Sequence, residues 1–316
     1  MRSKTQKKAP FFSVVILAYN RIDELEKTIG HLAHQTFGDF EVCVIDNGST
    51  DAVSGQIKGW PLSERTKVLR LEPNAGLTAI NQAAKIAKGK YLVFLDDDAH
   101  LEPAGLKKLY GHIRSQKIEC ACPKVIQVNL PGVETDTPYY TEGNLKFAYY
   151  YNGSGYVISR ETFEEILKKF GSLYDKQLHI GHTEFDASVK ICKLGKSIAY
   201  FDDIITYHRK MPGNKNHDFH ERKVYEFRNR LYAARKYVPV LRQVYVLPAL
   251  LATMLAAAAK NGAIPDFLKA LPEGLTMQTH ERITPMTREE LRRMTGKPSY
   301  LYLFVGTMWA KAFPKA

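Results

Sequence analysis

Three consecutive carboxylates, Asp96, Asp97 and Asp98, directly follow an apolar run at residues 91–95. Like charges at this spacing raise one another's pKa and destabilise the chain unless a cation lies among them. Carboxylate oxygens suit Mg²⁺ or Mn²⁺ bound to a diphosphate, and an Asp-x-Asp pair can place one carboxylate on the metal and the other on a ribose hydroxyl. The alternative is a surface turn, in which Asp98 helps to start the helix after Pro103.

The elements that must position these acids alternate between strand and helix patterns. Strand-length, largely apolar runs occur at residues 11–18, 40–45 and 91–95, and residues 67–71 are predicted as a further strand. The segments between these strands have helical spacing or turn residues. This alternation is typical of βαβ units with a parallel sheet, whose functional loops follow the carboxyl ends of the strands. Because Asp46, Asn74 and the three carboxylates all lie at such ends, the pattern predicts a site there.

After residue 120 the predicted elements become shorter. We expect strands at residues 120–128, 146–151, 155–159, 197–201 and 204–208, with helices at 161–170, near 185–194 and over the basic stretch 220–238. Residues 244–259 carry no charge, but Pro248 interrupts them and they fall short of the roughly 20 residues that a spanning helix needs. Residues 300–313 are aromatic and apolar.

The net charge of +12 lies almost entirely in the last third of the chain. Residues 1–208 hold 26 Lys and Arg against 25 Asp and Glu, whereas residues 209–316 hold 19 against 8. A uniformly basic protein would suggest nucleic acid, but a basic and apolar C-terminal third favours an anionic membrane surface. We therefore expect peripheral contact with a membrane and no nucleic-acid partner. The alternative is that the apolar stretches form a helical core or a homodimer contact.

The cysteines and the N-terminus favour a cytoplasmic protein. The four cysteines form no CxxC pair, which indicates reduced thiols. Residues 1–10 are basic, but no apolar segment of adequate length follows them, so a disordered tail is predicted rather than a targeting signal. With the basic C-terminal region, this places the protein at the inner face of the cell membrane.

Four segments taken together identify a family resemblance. SVVILAYNR, FEVCVIDNGSTD, NAGLTAINQAAKIAKGKYLVFLDDDAHLEP and HTEFDASVKICKLG resemble the inverting family 2 glycosyltransferases of GT-A fold, from Phe11 to about His208. The resemblance implies a Rossmann-like, mostly parallel central sheet, a nucleotide-sugar donor, a divalent metal and direct displacement at the anomeric carbon. It implies a catalytic domain over residues 11–210, with a nucleotide-binding half (11–100) and an acceptor half (101–210), before a helical, basic region at 211–316.

The resemblance assigns the nucleotide contacts residue by residue. Asp46 takes the place of the acid that accepts a hydrogen bond from the nucleobase, which uracil, thymine and guanine can donate and cytosine cannot. A UDP- or dTDP-sugar is the expected donor. The other implied nucleotide contacts are Ala18, Tyr19, Asn20, Asn74, Gly76, Asp96 and Asp97. The alternatives are an Asx turn or helix cap at Asp46 and a plain turn at Asn74 and Gly76.

One departure from the family pattern bears on the donor sugar. Many relatives have Arg one residue before Asn81, where this chain has Ile80, so one phosphate contact is missing. Bacterial polysaccharide-type subgroups that transfer rhamnose or galactofuranose are similar in this respect.

Displacement with inversion needs a base that takes the proton from the acceptor hydroxyl. The family's Glu-Asp-x-Asp motif stands here as Thr183-Glu184-Phe185-Asp186, so its first acid is absent. The resemblance gives Glu184 the role of the base and Asp186 that of the next acid. A helix N-terminus favours the ionised carboxylate, and helix capping is the alternative role for both residues.

The remaining candidates surround the metal and the acceptor. His208 matches a histidine that some relatives bring to the metal, and a neutral imidazole suits a ligand beside Asp98; a histidine in a basic surface loop is the alternative. Arg209 and Lys210 could meet the diphosphate. Residues 152–160 resemble the acceptor-side segment, whose glycines allow close backbone approach. The glycan or lipid-linked acceptor itself is not identified.

Other functions remain open at this point. A nucleotidyltransferase also joins a parallel sheet to a metal-binding acid pair, but it needs a glycine-rich loop after the first strand, and residues 16–24 contain no glycine. Haloacid dehalogenase-type phosphatases carry their paired Asp on the first strand, unlike this chain. The altered base motif leaves a catalytically inactive sugar-binding or membrane scaffold as the main alternative.

Overall fold

The computed structural model describes residues 9–50, 53–128, 134–135, 137–178, 181–209, 219–278, 281 and 283–307. The strands are β1 (Phe12–Ala18), β2 (Phe40–Asp46), β3 (Thr66–Arg70), β4 (Tyr91–Asp96), β5 (Ala99–Leu101), β6 (Cys120–Gln127), β7 (Glu134–Thr135), β8 (Tyr139–Glu142), β9 (Leu145–Ala148), β10 (Val157–Ser159) and β11 (Ile198–His208). The helices are α1 (Ile22–Ala33), α2 (Val53–Gln56), α3 (Ala83–Ile86), α4 (Gly105–Gln116), α5 (Arg160–Phe170), α6 (Thr183–Lys193), α7 (Phe219–Tyr237), α8 (Val240–Lys260), α9 (Ile264–Thr276) and α10 (Arg288–Thr295). Ser63–Arg65 and Gly76–Gln82 are 3₁₀-helical, and Tyr302–Gly306 is π-helical.

The chain divides into two compact units. The first comprises Met1–Thr135, Asn152–Glu165 and Phe201–Lys210, and the second comprises Asp136–Tyr151, Ile166–Tyr200 and Met211–Ala316. Residues 136–151 and 166–200 of the expected acceptor half group with residues 211–316 in the second unit, and the functional division at residue 210 stays a prediction. The predicted N-terminal tail (residues 1–8) and Lys210 lie outside the described residues.

The parallel sheet predicted from the first hundred residues is present in the first unit. Its strands lie in the order β3-β2-β1-β4 with parallel pairing. The registers align Ala18 with Asp46, Asp46 with Arg70, and Leu17 with Asp96, so the polar ends of these strands meet at one edge. β1, β2 and β4 are buried almost throughout, as expected for apolar runs covered on both faces. Beyond β4, β10 pairs antiparallel with both β4 and β6, so the sheet is mixed.

Two elements of the first unit differ from the prediction. The segment after Asn74 is a 3₁₀-helical stretch followed by the four-residue α3, where one regular helix was expected. Residues 197–208 were expected to form two strands, but β11 is one strand of eleven residues. Asp202 and Asp203, which lie between the two predicted strands, are exposed while the strand continues.

The second unit is mainly helical. β8 and β9 form an antiparallel hairpin where only one strand was predicted, and the start of β11 pairs with β9. Its apolar core joins α6 to α7, α8, α9 and α10 through side chains that include Phe185, Leu231, Leu250, Phe267 and Leu291. The helical, basic C-terminal region therefore shares a packed core with α6.

The interpretation of residues 244–259 as too short to span a membrane was wrong. α8 is a continuous helix of 21 residues with Pro248 inside it. Pro248 and Val244, whose carbonyl loses its helical partner, are both exposed, so water can hydrate that carbonyl. Among the residues that the structure describes, α8 is the one helix whose length and composition would allow it to cross a membrane, although 28% of its most apolar window is buried.

The aromatic stretch at residues 300–313 contributes to the core where it is described. Tyr300, Leu303 and Phe304 are buried, and Tyr300 donates its hydroxyl to the carbonyl of Met286. These side chains are therefore not available to lipid. Residues 308–313 of the stretch lie outside the described residues.

Candidate active site

A cation from another segment, Arg21, lies beside the acidic turn after β4. Arg21, in the connection between β1 and α1, donates from Nη1 to Asp98 Oδ2 at 2.7 Å and from Nε to Asp97 Oδ2 at 3.2 Å. Its Nη2 also contacts Asp97 Oδ1. Burial by itself would lower the pKa of Arg21, but the two carboxylates outweigh burial and the pKa is raised. Sequence reasoning missed Arg21, because its partners lie 76 and 77 residues away along the chain.

Asp97 points into this ion pair. Its side chain is 1% exposed, and its backbone carbonyl accepts a hydrogen bond of 2.6 Å from Thr28 Oγ1. Burial raises the pKa of Asp97 to about 7; the Arg21 guanidinium opposes this shift, while the charges of Asp98 and Asp96 add to it. Asp97 is therefore ion-paired with Arg21, and its implied nucleotide contact stays a prediction.

Asp96, Asp98 and His208 form a group that could hold a metal ion. Their ligand atoms all lie within 4.8 Å of one another. His208 ends β11, and its Nε2 lies 3.1 Å from Asp98 Oδ1 and 3.9 Å from Asp96 Oδ2. The side chain of Asp96 is 41% exposed and that of Asp98 is 4% exposed, so the group opens to solvent on the Asp96 side.

The residues present fit Mg²⁺ or Mn²⁺. Asp98 Oδ1 is buried and receives no well-oriented hydrogen bond, although His208 is within ion-pair distance. Burial would raise the pKa of Asp98, but hydrogen bonding and charge from His208 and Arg21 lower it to about 2, so the carboxylate is ionised at neutral pH. Two carboxylates and an imidazole around an unsatisfied oxygen are a suitable donor set for a hard or borderline divalent cation.

Asp46 is engaged on both oxygens. Oδ1 accepts a hydrogen bond of 2.9 Å from Ser49 N, and Oδ2 lies 3.1 Å from Arg70 Nη1. The Asx-type turn that the sequence left open is therefore present. Arg70 also donates to Glu72 and to the Ser49 carbonyl. Arg70 was missed by sequence reasoning, yet a signal existed, because Asp46 and Arg70 end adjacent parallel strands in register.

Asn74 and Gly76 belong to one loop held by Asn47. Asn47 Nδ2 donates to Asn74 Oδ1 and to the Gly76 carbonyl, each at 3.0 Å, and Asn47 Oδ1 accepts from Ala75 N at 2.9 Å. Gly76 has a φ of +59°, which favours glycine. The structure therefore brings Asn74 and Gly76 next to the end of β2, and their implied nucleotide contact stays a prediction.

The loop after β1 lies beside the end of β2. Ala18 is buried and its carbonyl accepts from Asn47 N, while Tyr19 is 42% exposed. Asn20 has a φ of +52°, and its Oδ1 accepts from Thr50 N at 2.8 Å. Backbone and side-chain bonds thus hold Asn20 in a strained conformation at the edge where the strands end.

Arg209 and Gly155, two further residues of the predicted site, make contacts within the first unit. Arg209 Nε donates to Glu24 Oε2 at 3.0 Å and Nη2 donates to Thr28, so its guanidinium supports α1. The close backbone approach expected in residues 152–160 occurs at Gly155, whose φ is +85°. A Cβ there would lie 2.2 Å from Thr206 Oγ1, so the lack of a side chain at Gly155 leaves room for Thr206 of β11.

Glu184 and Asp186 both belong to the second unit, and their surroundings differ. Both lie in the first turn of α6, which follows His182 in the left-handed conformation. Glu184 is half-buried, and Thr183 Oγ1 donates to it at 2.8 Å. Asp186 is buried; its Oδ1 accepts from Lys236 Nζ at 2.6 Å and from the Tyr237 hydroxyl.

Asp186 belongs to a second acidic group, with Asp175 and Glu281, whose spacing would also suit a metal. The ammonium of Lys236 already lies among them, 2.8 Å from Asp175, 2.6 Å from Asp186 and 2.7 Å from Glu281. Lys190 adds a second buried cation, 2.8 Å from Asp186 Oδ2. Burial opposes the charge on Asp186, but the two lysines outweigh it and its pKa is lowered. This group is therefore a buried ion-pair cluster.

Comparison with known proteins identifies the family. The model of the family described as glycosyl transferase family 2 matches residues 13–180. Among curated proteins, a hyaluronan synthase of Pasteurella multocida is 31% identical over 128 residues, which is 40% of this chain and 13% of that protein. The chain spans about half or less of the length of the curated relatives that it matches most strongly.

Solved structures share the fold at low sequence identity. TarS of S. aureus, in complex with UDP-GlcNAc, has a TM-score of 0.58 and 18% identity, covering 83% of this chain and 80% of that one. The mannosyltransferase PcManGT from Pyrobaculum calidifontis, in complex with GDP-Man and Mn²⁺, has a TM-score of 0.55 and 16% identity, covering 97% and 86%. The fold is therefore GT-A, a Rossmann-like α/β architecture, and this confirms the expected fold class. Since the family model covers more than half of the chain, the protein belongs to glycosyl transferase family 2.

Proposed function

We propose that the protein transfers a sugar from a UDP- or dTDP-sugar to a hydroxyl of a glycan or lipid-linked glycan, with inversion at the anomeric carbon. The observation that carries this proposal is the group of Asp96, Asp98 and His208 at the strand ends of a family 2 chain. The similar structures of TarS with UDP-GlcNAc and of PcManGT with GDP-Man and Mn²⁺ support a nucleotide-sugar donor and a metal.

Asp96, Asp98 and His208 would hold Mg²⁺ or Mn²⁺, which when bound supplies positive charge to the diphosphate leaving group. Asp98 is suited to this role because it is ionised and its buried Oδ1 lacks a well-oriented hydrogen bond. Arg21 holds Asp98 from the opposite oxygen, Oδ2, and so fixes the direction of Oδ1, which faces His208. Asp96 is exposed enough to reach a ribose hydroxyl as well.

The nucleobase would lie by the ends of β1, β2 and β3, flanked by Ala18, Tyr19 and Asn20. Asp46 is buried and orients Arg70, which is 36% exposed. A guanidinium has five N–H donors, and those of Arg70 that Asp46, Glu72 and Ser49 do not use can donate to a base carbonyl. Uracil and thymine offer such a carbonyl.

Glu184 is the proposed base, and Asp186 is not. Both oxygens of Asp186 lie on buried cations, whereas Glu184 is half-buried with the neutral Thr183 hydroxyl bound to it. In the displacement, Glu184 takes the proton of the acceptor hydroxyl as its oxygen bonds to the anomeric carbon. The bond from that carbon to the diphosphate oxygen breaks, and the nucleoside diphosphate leaves with the electron pair.

We place the enzyme in the cytoplasm, at the inner face of the membrane. Support comes from the outer face of α8, where Val240, Leu241 and Val244 are 77%, 87% and 74% exposed, and from the basic C-terminal third. Liposome flotation tests this: recovery should need anionic lipid and weaken in high salt. A Leu241→Glu, Val244→Glu variant should lose it. Equal recovery from neutral liposomes, or none from either kind, would contradict membrane contact and favour a homodimer contact.

A thermal-shift panel with and without Mn²⁺ tests the function. UDP, dTDP, GDP and CDP serve as ligands, and the nucleotide that binds the native state raises the Tm. Turnover with UDP- and dTDP-sugars, rhamnose and galactofuranose donors included, should then be lost in Asp98→Ala. Nucleotide binding without transfer or donor hydrolysis would indicate an inactive scaffold. Release of pyrophosphate from a nucleoside triphosphate and a sugar phosphate would indicate a nucleotidyltransferase.

A further inference from the structure

Helix α7 of the C-terminal region is fastened to the start of α6. Asn229 Nδ2 donates to the Gly181 carbonyl at 2.8 Å, just before α6 begins. About two turns further along α7, Lys236 and Tyr237 bind Asp186 in the first turn of α6. Asn229, Lys236 and Asp186 are all fully buried or nearly so. These contacts fix the register of the two helices near the proposed base.

The same contacts show what lies in front of α6. Asn229 precedes Lys236 on α7, and their partners Gly181 and Asp186 follow one another in the same order. Between these two contacts the two segments therefore run in the same direction. The turn of α7 before Asn229 directly precedes the residue that bonds the segment in front of α6. Glu226 lies on that turn, and Arg230 reaches back to it, since helical side chains lean toward the N-terminus. Arg230 Nη2 donates to Glu226 Oε1 at 3.2 Å.

The electrostatics agree with this placement. Burial raises the pKa of the Tyr150 hydroxyl; the charge of Arg230 opposes this, and the charges of Glu184 and Glu226 add to it. The charges of Glu184, Glu226 and Arg230 therefore all act on the Tyr150 hydroxyl. Glu226 is ionised, because Arg230 and Lys223 outweigh its burial and lower its pKa to about 2.

Arg230 carries an unused donor. Its side chain is 15% exposed, and its Nε is buried without a hydrogen-bond partner among the described residues. A buried, unpaired donor on a charged group is destabilising unless a ligand or water satisfies it. Helix α7 thus carries a carboxylate and a guanidinium with an unsatisfied donor side by side, on the part of the helix that Asn229 fastens to the start of α6.

We propose that Glu226 and Arg230 bind the acceptor as an uncharged sugar ring, through two adjacent hydroxyl groups. Each hydroxyl both donates and accepts, so one can donate to the carboxylate while its neighbour accepts from the guanidinium. The formal charges of Glu184, Glu226, Lys223 and Arg230 cancel, which favours a neutral ring over an anionic one. This inference rests on the proposed function, because it treats Glu184 as the base.

The test uses the full chain and para-nitrophenyl glycosides of neutral hexoses and of glucuronic acid. Saturation-transfer NMR measures binding without turnover, and initial rates give the KM of acceptor and donor separately. Arg230→Met and Glu226→Gln should each weaken binding of the neutral glycoside about tenfold or more, as expected for hydrogen bonds to charged groups. The KM of the donor should stay the same within about twofold.

Arg235→Met is the matched control. Arg235 lies on the same helix, but its guanidinium donates to the carbonyls of Gly274 and Met277 near the end of α9. This variant should leave acceptor binding unchanged. If Arg230→Met fails to fold, Arg230→Lys, which keeps the charge but not the guanidinium geometry, and Glu226→Gln carry the test.

The outcomes separate this inference from the proposed function. Unchanged neutral-glycoside binding in the Arg230 and Glu226 variants, or tighter binding of the glucuronide by the wild type, overturns the acceptor subsite alone. Absence of nucleotide binding and of transfer in the wild type overturns the proposed function. The NMR arm still decides the subsite in that case, since it needs no donor.

Discussion

Replacing Arg21 by Met should destabilise the protein more than any exposed charge removal on α1. Arg21 contacts both Asp97 and Asp98, whose side chains are 1% and 4% exposed. The variant keeps most of the side-chain volume and removes the charge. The two buried carboxylates then lose the guanidinium that contacts both of them, while His208 stays beside Asp98.

The loss of stability expected for Arg21→Met follows from the burial and pairing of the two carboxylates. The difference between the ordinary pKa of Asp98, 3.8, and about 2 is worth about 2.5 kcal/mol, which His208 and Arg21 supply together against burial. Breaking a buried ion pair by removing one partner costs about 3–5 kcal/mol. Arg21 is itself 28% exposed, so we expect the lower end, about 3 kcal/mol.

The direction of the Asp98 pKa shift sets the sign of the pH dependence of stability. Because the pKa is lowered in the native state, the stabilisation is present above pH 4 and is lost as the pH falls toward 2. In Arg21→Met the pKa of Asp98 rises toward its ordinary value. The stability difference between wild type and variant should therefore be full at pH 5–7 and shrink below pH 4.

Urea unfolding in EDTA measures this prediction, with Lys27→Met as the control. Lys27 forms an exposed pair with Glu24 on the same helix, and its loss should cost less than about 0.5 kcal/mol. Adding Mn²⁺ should return part of the stability to Arg21→Met, because a cation again lies among the carboxylates. A loss below about 1 kcal/mol for Arg21→Met would refute the reasoning, since the carboxylates would then not depend on this partner.

Three further predictions address the site. EDTA or Asp98→Ala should abolish transfer while Asp96→Ala chiefly raises the donor KM; full activity in EDTA would contradict a metal role. Glu184→Gln should lower kcat at least about a hundredfold without changing the donor KM, whereas Asp186→Asn should mainly lower the Tm; the reverse pattern would place the base two residues later. Asp97→Asn should gain stability relative to the wild type as the pH rises from 4 to 7. The reason is that the raised pKa makes Asp97 of the wild-type native state hold a proton that the unfolded chain releases. A stability difference that does not change with pH across this window would contradict the prediction.

The sequence alone determined the elements that are locally encoded. Largely apolar runs of strand length predicted β1, β2 and β4, because buried parallel strands need apolar side chains on both faces. Once these strands are parallel, their carboxyl ends must share one edge, so the strand pattern alone was enough to group Asp46 with the three carboxylates. The resemblance then added His208, which the fold brings to Asp98.

Only the tertiary structure decided which charges are paired and which remain available. Arg21, Arg70 and Lys236 look like ordinary surface cations in the sequence, and each proves to hold a buried carboxylate. Asp186 looks like a catalytic acid by motif, and burial beside two lysines makes it an anchor for α6.

The physical reason is that burial and ion pairing are long-range properties. Asp98 meets Arg21 across 77 residues, and Asp186 meets Lys236 across 50. The free energy of a charge depends on the water that packing removes and on the partner that packing supplies. Local patterns encode where a strand or helix forms, but the solvation of its charged groups is fixed only when distant segments meet.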